Sequence, residues 1–247
     1  MRRLILTLGL WLLGTMPALA FDTSTGEVLR YNVYWGPLEV GHAQLQYVPQ
    51  GGGFGDPSGY TLTARVWDST VFLDLDDTWR AVGSHAKGAM FKPIRYEAHQ
   101  HENDYKADKV MAFDAHDGKV VYTNHIDAHD TAKPVAWDGK VRDVLSALYA
   151  WRTQGLDAIK AGGSVPVVGL KKEFTLVKTP GRQEAVTLRG QDVKVWRVDI
   201  STRGSGKHED AGVWTVRLRD DASLVPVQIT ADTKFGTFRA VLAGGPY

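Results

Sequence analysis

The sequence predicts an all-β domain: a strongly curved, mainly antiparallel sheet, half-barrel or barrel-like, with one α-helix docked on it near residues 141–152. Three observations predict it. Apolar and polar residues alternate with period two along most of the chain, turn signals separate those runs at short intervals, and one segment alone changes to a 3.6-residue period. About a dozen strands cannot lie in one flat sheet without curling, splitting or closing, which makes the sheet curved.

In chain order, Arg2 and Arg3 precede an apolar run from Leu4 to Leu13, and Pro17 then leads to Ala18-Leu19-Ala20, a small-residue exit. This is the pattern of a secretory signal peptide cleaved after Ala20, and it predicts a periplasmic protein. The run has ten residues, too few at a rise of about 1.5 Å each to cross about 30 Å of hydrocarbon, so a retained anchor is not expected. Residues 21–247 then form a single β-rich domain. Glu27 to Trp35 and Val40 to Val48 read as strands, and Gly51 to Pro57 as a long hairpin loop. In the next strand Tyr60, Leu62, Ala64 and Val66 alternate with Thr61, Thr63 and Arg65, one face buried and one wet. Asp76 to Val82, Ile94 to Glu102, Lys106 to Phe113 and Lys119 to Thr123 follow, the last two joined by a turn at Asp117-Gly118. The helix spans Val141 to Arg152. Val141, Val144, Leu145, Leu148 and Tyr149 stack on one side, Asp138 is placed to cap the start, and Asp143, Ser146, Ala147 and Ala150 occupy the other side. Glu173 to Val177, Ala185 to Leu188, Val193 to Ile200, Trp214 to Leu218 and Val225 to Ile229 complete the strands.

Composition excludes several function classes. The chain has no cysteine, hence no disulfide, thiolate metal site, cysteine nucleophile or lipoprotein acylation point. Loss of Arg2 and Arg3 with the leader lowers 29 basic residues to 27 against 28 acidic ones, a net charge of −1 that offers no field for nucleic acid. No G-x-S-x-G, H-E-x-x-H or dinucleotide fingerprint is present, so no catalytic residue and no cofactor are expected, and the protein is read as a non-enzyme. Gly204-Ser205-Gly206-Lys207-His208 resembles a phosphate loop only superficially: Ser201 stands where the first glycine is required, and His208 where a Ser or Thr is required.

Some clusters carry chemistry of their own. Glu97, His99 and His101 alternate along a strand with further histidines up to His129, a supply of ligands suited to zinc or copper and the basis of an alternative metal-binding reading for residues 97–129. Asp74, Asp76 and Asp77 lie beside Trp79, the residue types used in glycan hydrolysis. Both clusters also suit a solvated strand face. Trp67, Trp79 and Tyr149 are the expected ligand contacts if the sheet is concave and apolar inside.

The helix carries D-x-x-S-x-x-Y-x-x-R as Asp143, Ser146, Tyr149 and Arg152. Farther on come Val213-Trp214, Asp220, and Leu224-Val225-Pro226-Val227 leading to Gly236, with Pro93-x-x-Tyr96 upstream. In these residues the chain resembles the bacterial secreted proteins grouped as domain of unknown function 3108, over roughly Leu29 to Leu242. The resemblance implies an all-β envelope protein of Gram-negative bacteria with no assigned activity, and gives Asp143, Ser146, Tyr149, Arg152, Trp214, Asp220 and Pro226 as motif positions. Asp143 and Arg152 lie about 13 Å apart along a helix, too far to pair, and are expected to bond to neighbouring strand backbone and fix the docking. By fold analogy the shape is that of periplasmic lipoprotein carriers, whose curved sheet holds acyl chains around a helical plug. The expected function is therefore non-catalytic binding of an apolar or lipid ligand in the concavity, with an envelope scaffold docking a protein partner as the alternative.

Overall fold

The structure, a computed structural model, describes residues 21–49, 58–68, 74–86, 89–204, 213–233 and 236–245. The signal peptide, the Gly51 to Pro57 loop and most of the Gly204 to His208 segment lie outside the described residues. Among those described, strands β1 (Glu27–Trp35), β2 (Leu38–Pro49), β3 (Gly59–Asp68), β4 (Asp76–Ala86), β5 (Ala89–Glu102), β6 (Tyr105–Asp114), β7 (Lys119–Asn124) and β8 (Val135–Ala136) precede helices α1 (Val144–Thr153) and α2 (Gly155–Ala161). Strands β9 (Gly163–Gly169), β10 (Lys172–Lys178), β11 (Arg182–Leu188), β12 (Gln191–Arg203), β13 (Trp214–Arg219), β14 (Pro226–Thr233) and β15 (Gly236–Gly244) follow.

All fifteen strands belong to one sheet, and its order is nearly that of the chain: β8 back to β1, then β15 back to β12, then β10 and β9. β11 branches off as a hairpin on the first half of β12, whose last residues pair with β10. Every strand pairing is antiparallel, which is what hairpin connections require. Register shifts at Arg30/Tyr31, Val33/Tyr34, Val82/Gly83 and Arg217/Leu218 bend the strands. The result is a barrel-like sheet open along one seam, between β8 and β9. The chain itself crosses that seam. Arg142 forms a parallel bridge with Val167, its amide donating to Pro166 O at 3.3 Å and its carbonyl accepting from Val168 N at 2.8 Å.

That bridge corrects the expected start of the helix. Arg142 is extended, and Asp143, itself extended at φ −75° and ψ 168°, is the N-cap; Asp138 instead accepts Lys140 N at 2.9 Å in a turn of its own. Val141 stays buried without being helical, and its carbonyl receives the Trp137 indole N–H at 3.0 Å. A second helix, α2, follows after Gly155 at φ 76° interrupts the first.

Helix α1 lies inside the curve and divides the core. On one side Leu145, Tyr149 and Ala150 pack with Tyr47, Tyr60, Phe91, Tyr96 and Met111; on the other Ala147 and Trp151 pack with Ile159, Val167, Leu176, Val198 and Ile200. A third cluster, Leu29, Tyr31, Val195, Val225, Val227 and Leu242, holds β1 to the C-terminal strands. Among the described residues no helix is long and apolar enough to cross a membrane.

Candidate ligand-binding site

Each three-residue step of D-x-x-S-x-x-Y-x-x-R turns the helix by about 300°, so the four motif side chains move round half its circumference and meet different partners. Asp143 is fully buried. Its carboxylate accepts Ser146 N at 2.9 Å and Ser146 Oγ at 2.5 Å, and Ser146 Oγ meets Tyr60 Oη at 2.7 Å, tying the first turn of α1 to β3. Burial pushes the Asp143 carboxyl up to about 6, with the Ser146 hydrogen bonds pulling the other way. At the other end Arg152 is bidentate on Glu27, at 2.7 and 2.9 Å, and donates to Ser223 O at 3.1 Å; Tyr149 Oη donates to Glu27 Oε1 at 3.3 Å. The guanidinium lies 4.4 Å from the ring centre of Phe21. Asp143 and Arg152 do not pair, as their spacing requires. The expected bonds to neighbouring strand backbone are not made among the described residues: Asp143 caps its own helix, and Arg152 takes the Glu27 carboxylate and the carbonyl of Ser223 in the turn before β14.

The remaining side of α1 carries Val144, Leu148 and Trp151, at i, i+4 and i+7. Beneath it lies a cavity of about 460 Å³. Its opposite wall is a cross-strand row, Val198, Val216, Ile229 and Ala240, matched in register from β12 to β15. Tyr31, Ala64 and Trp79 continue the wall on β1, β3 and β4. One row nearer the barrel end, Ile200, Trp214, Ala231, Phe238 and Trp35 follow each other across the same strands and β1. Trp214 borders the cavity and is 42% exposed, which marks the mouth, and Trp35 stacks on Phe238 beside it at 6.3 Å. The volume and apolar walls match a site for one small molecule; such sites span about 300–1,000 Å³.

The match to the family described as "Protein of unknown function (DUF3108)" runs from residue 30 to residue 243. The chain belongs to the DUF3108 family. Among solved structures it is similar to the crystal structure of a beta-barrel-like protein of domain of unknown function DUF1849 from Brucella abortus, with 12% identity over 93% of this chain and 98% of that one and a TM-score of 0.59. At that identity the likeness is one of fold. No curated protein matches.

The expected motif residues outside the helix divide by position. Trp214 is at the cavity mouth. Pro226 borders the cavity, and its carbonyl accepts the Tyr31 hydroxyl at 2.8 Å. Asp220 accepts the Trp196 indole N–H at 2.5 Å and Gln183 Nε2 at 3.0 Å, clasping β11 and β12. Of the three expected ligand contacts, Trp79 and Tyr149 border the cavity, while Trp67 does not. Strand alternation puts Trp67 on the face opposite Ala64 and Val66, where it lies 5.6 Å from the His42 ring and under the Arg65 guanidinium at 5.0 Å.

The metal and acidic clusters are dispersed. Glu97 pairs with Arg95 at 2.5 Å and Arg80 at 3.5 Å, His99 with Asp108 at 3.1 Å and His101 with Asp74 at 3.2 Å. Residues two apart on a strand are separated by about 6–7 Å, so these three share a face without converging on one ion. Among the described residues the group with ligand atoms within 4.8 Å of one another is Asp114, His116 and Asp117, in a turn where Asp117 already pairs with His116 and Lys119. Asp76 is bidentate on Arg65, whereas Asp77 is buried and accepts His101 N at 2.9 Å, so the neighbouring acids face opposite sides of the sheet. Sequence reasoning missed Lys178, Leu148 and the Val198 to Ala240 row. The alternation of β12, β13 and β14 was visible, but that of β15 was not, and no local signal sets the register across these strands or which element faces them.

Proposed function

We propose that this DUF3108 protein is a non-catalytic carrier that holds one apolar molecule of the Gram-negative envelope between α1 and the inner face of β12–β15. The observation that supports this most is the cavity of about 460 Å³ walled by aliphatic and aromatic side chains, with a mouth at Trp214. The leader pattern of residues 1–20 supports action in the periplasm. All the buried acidic and basic side chains of the α1 motif are engaged in structural bonds, which fits binding better than chemistry.

The test is to express the full chain, recover the processed protein from periplasm, and extract it for mass spectrometry beside a titration with a solvatochromic apolar dye. A co-purifying lipid and dye binding are expected. Val216→Trp, which fills the space opposite Leu148, should abolish dye binding while leaving the circular dichroism spectrum of sheet intact. Clean extracts together with no dye binding would remove the carrier reading.

A further inference from the structure

Two cationic side chains border the cavity from within the barrel, Arg152 and Lys178; Arg65 also lines it, but its guanidinium lies on the outer face of β3 over Trp67. Arg65 and Arg152 each hold a carboxylate in two hydrogen bonds, from Asp76 and Glu27. Lys178, the last residue of β10, is 3% exposed and has no ion pair among the described residues. Its Nζ donates to the carbonyls of Ala158 at 2.7 Å and Ile159 at 3.3 Å, in the last turns of α2, and sits 5.8 Å from the ring centre of Trp151. An ammonium has three N–H donors, and these carbonyls occupy two. They carry partial charge only, so a net positive charge remains buried beside an apolar space, a costly arrangement that an anion would relieve.

We propose that the occupant of the cavity is a single-chain amphiphile with one anionic head group, a carboxylate or a phosphate monoester, whose oxygen accepts from Lys178 while its chain lies between Leu148 and Val216. This rests on the carrier reading and specifies its ligand. A cavity of about 460 Å³ suits one chain better than a lipid with several. Burial lowers the Lys178 ammonium to about 8, which leaves it mainly protonated at neutral pH and available to an anion. Capping of α2 is the competing role for this lysine, and it would give no preference for a charged ligand.

The experiment titrates the processed protein at pH 7 with cis-parinaric acid and with its methyl ester, read by probe fluorescence. The acid should bind about tenfold tighter or more, the scale of one hydrogen bond to a charged group. Palmitate and dodecyl phosphate are then used as competitors; displacement by either supports the anionic site and tells which head group it takes. Lys178→Met should bring acid and ester to equal affinity. Lys178→Gln keeps donors for the two carbonyls without the charge and should do the same if the Met variant does not fold. Equal binding of acid and ester to the unsubstituted protein overturns the anionic head group and leaves the carrier reading standing, as does an acid preference that survives both substitutions. Binding of neither probe overturns both.

Discussion

Asp143 and Gly83 show what single residues contribute. The Asp143 carboxyl titrates near 6 in the folded chain, because burial disfavours its charge, and near 3.9 when unfolded. The folded state therefore holds the extra proton between these values, and its stability falls as pH rises from about 4 to about 6 and stays level above that. His85, lowered by burial, acts with the opposite sign as pH falls below about 6.5, so the difference between protein and variant isolates Asp143. Asp143→Asn keeps an acceptor for Ser146 N and should lose that slope in urea titrations across pH 4–7; Asp143→Ala, which leaves the Ser146 amide without its acceptor, should cost about 1–3 kcal/mol at pH 7. At Gly83 a β-carbon would fall within 3.0 Å of Lys92 O and the Tyr60 ring. Gly83→Ala should therefore destabilise by about 1–3 kcal/mol and displace the Tyr60 hydroxyl from Ser146, which calorimetry and tyrosine fluorescence would register. The helix motif itself was visible in the sequence. Its partners were not, because Glu27 and Tyr60 come from strands far away along the chain and no local spacing points to them.

At the scale of elements, α1 acts as a plug fastened at both ends, by Asp143–Ser146–Tyr60 and by Arg152–Glu27. The second tie is a buried ion pair, whose loss of one member strands a charge. Arg152→Ala and Glu27→Ala should each cost about 3–5 kcal/mol in denaturant unfolding, and the double change Glu27→Leu with Arg152→Met should recover most of that. If both single variants unfold as the parent does, the helix is held by packing alone. The period-3.6 stripe made α1 readable, and period two made most strands readable with ends shifted by a few residues. The start of the helix was misplaced because Val141 continues the apolar stripe while Arg142 is bonded to β9. Strand β15 was missed because Ala240, Val241, Leu242 and Ala243 are apolar in succession, which blurs the alternation. β8 and α2 are too short to show a period.

For the molecule as a whole, curvature followed from strand number, but the hollow and its seam followed from topology. Among the described residues, the seam leaves β8, two residues long, and β9 without a sheet partner on one side except the Arg142 bridge. Hydrogen exchange should be fastest at residues 135–142 and slowest in β1, β2 and β15, where strands are paired on both sides; the reverse order would mean that the seam is the stable core. A single-chain anion bound at Lys178 should slow exchange in α2 and β10.

The pairing of β1 with β15, Tyr31 opposite Leu242, joins the first strand of the described chain to the last at the middle of the sheet. The earliest strand to leave the ribosome has to wait for the latest before one of its edges is covered. Such high contact order makes for slow folding, with refolding times of milliseconds to seconds or longer, and for an exposed, sticky edge in the interval. Export of an unfolded chain, as the proposed periplasmic location requires, would find it unlocked until its last strand had crossed, and removal of β15 should yield a species captured by holdase chaperones instead of a smaller barrel.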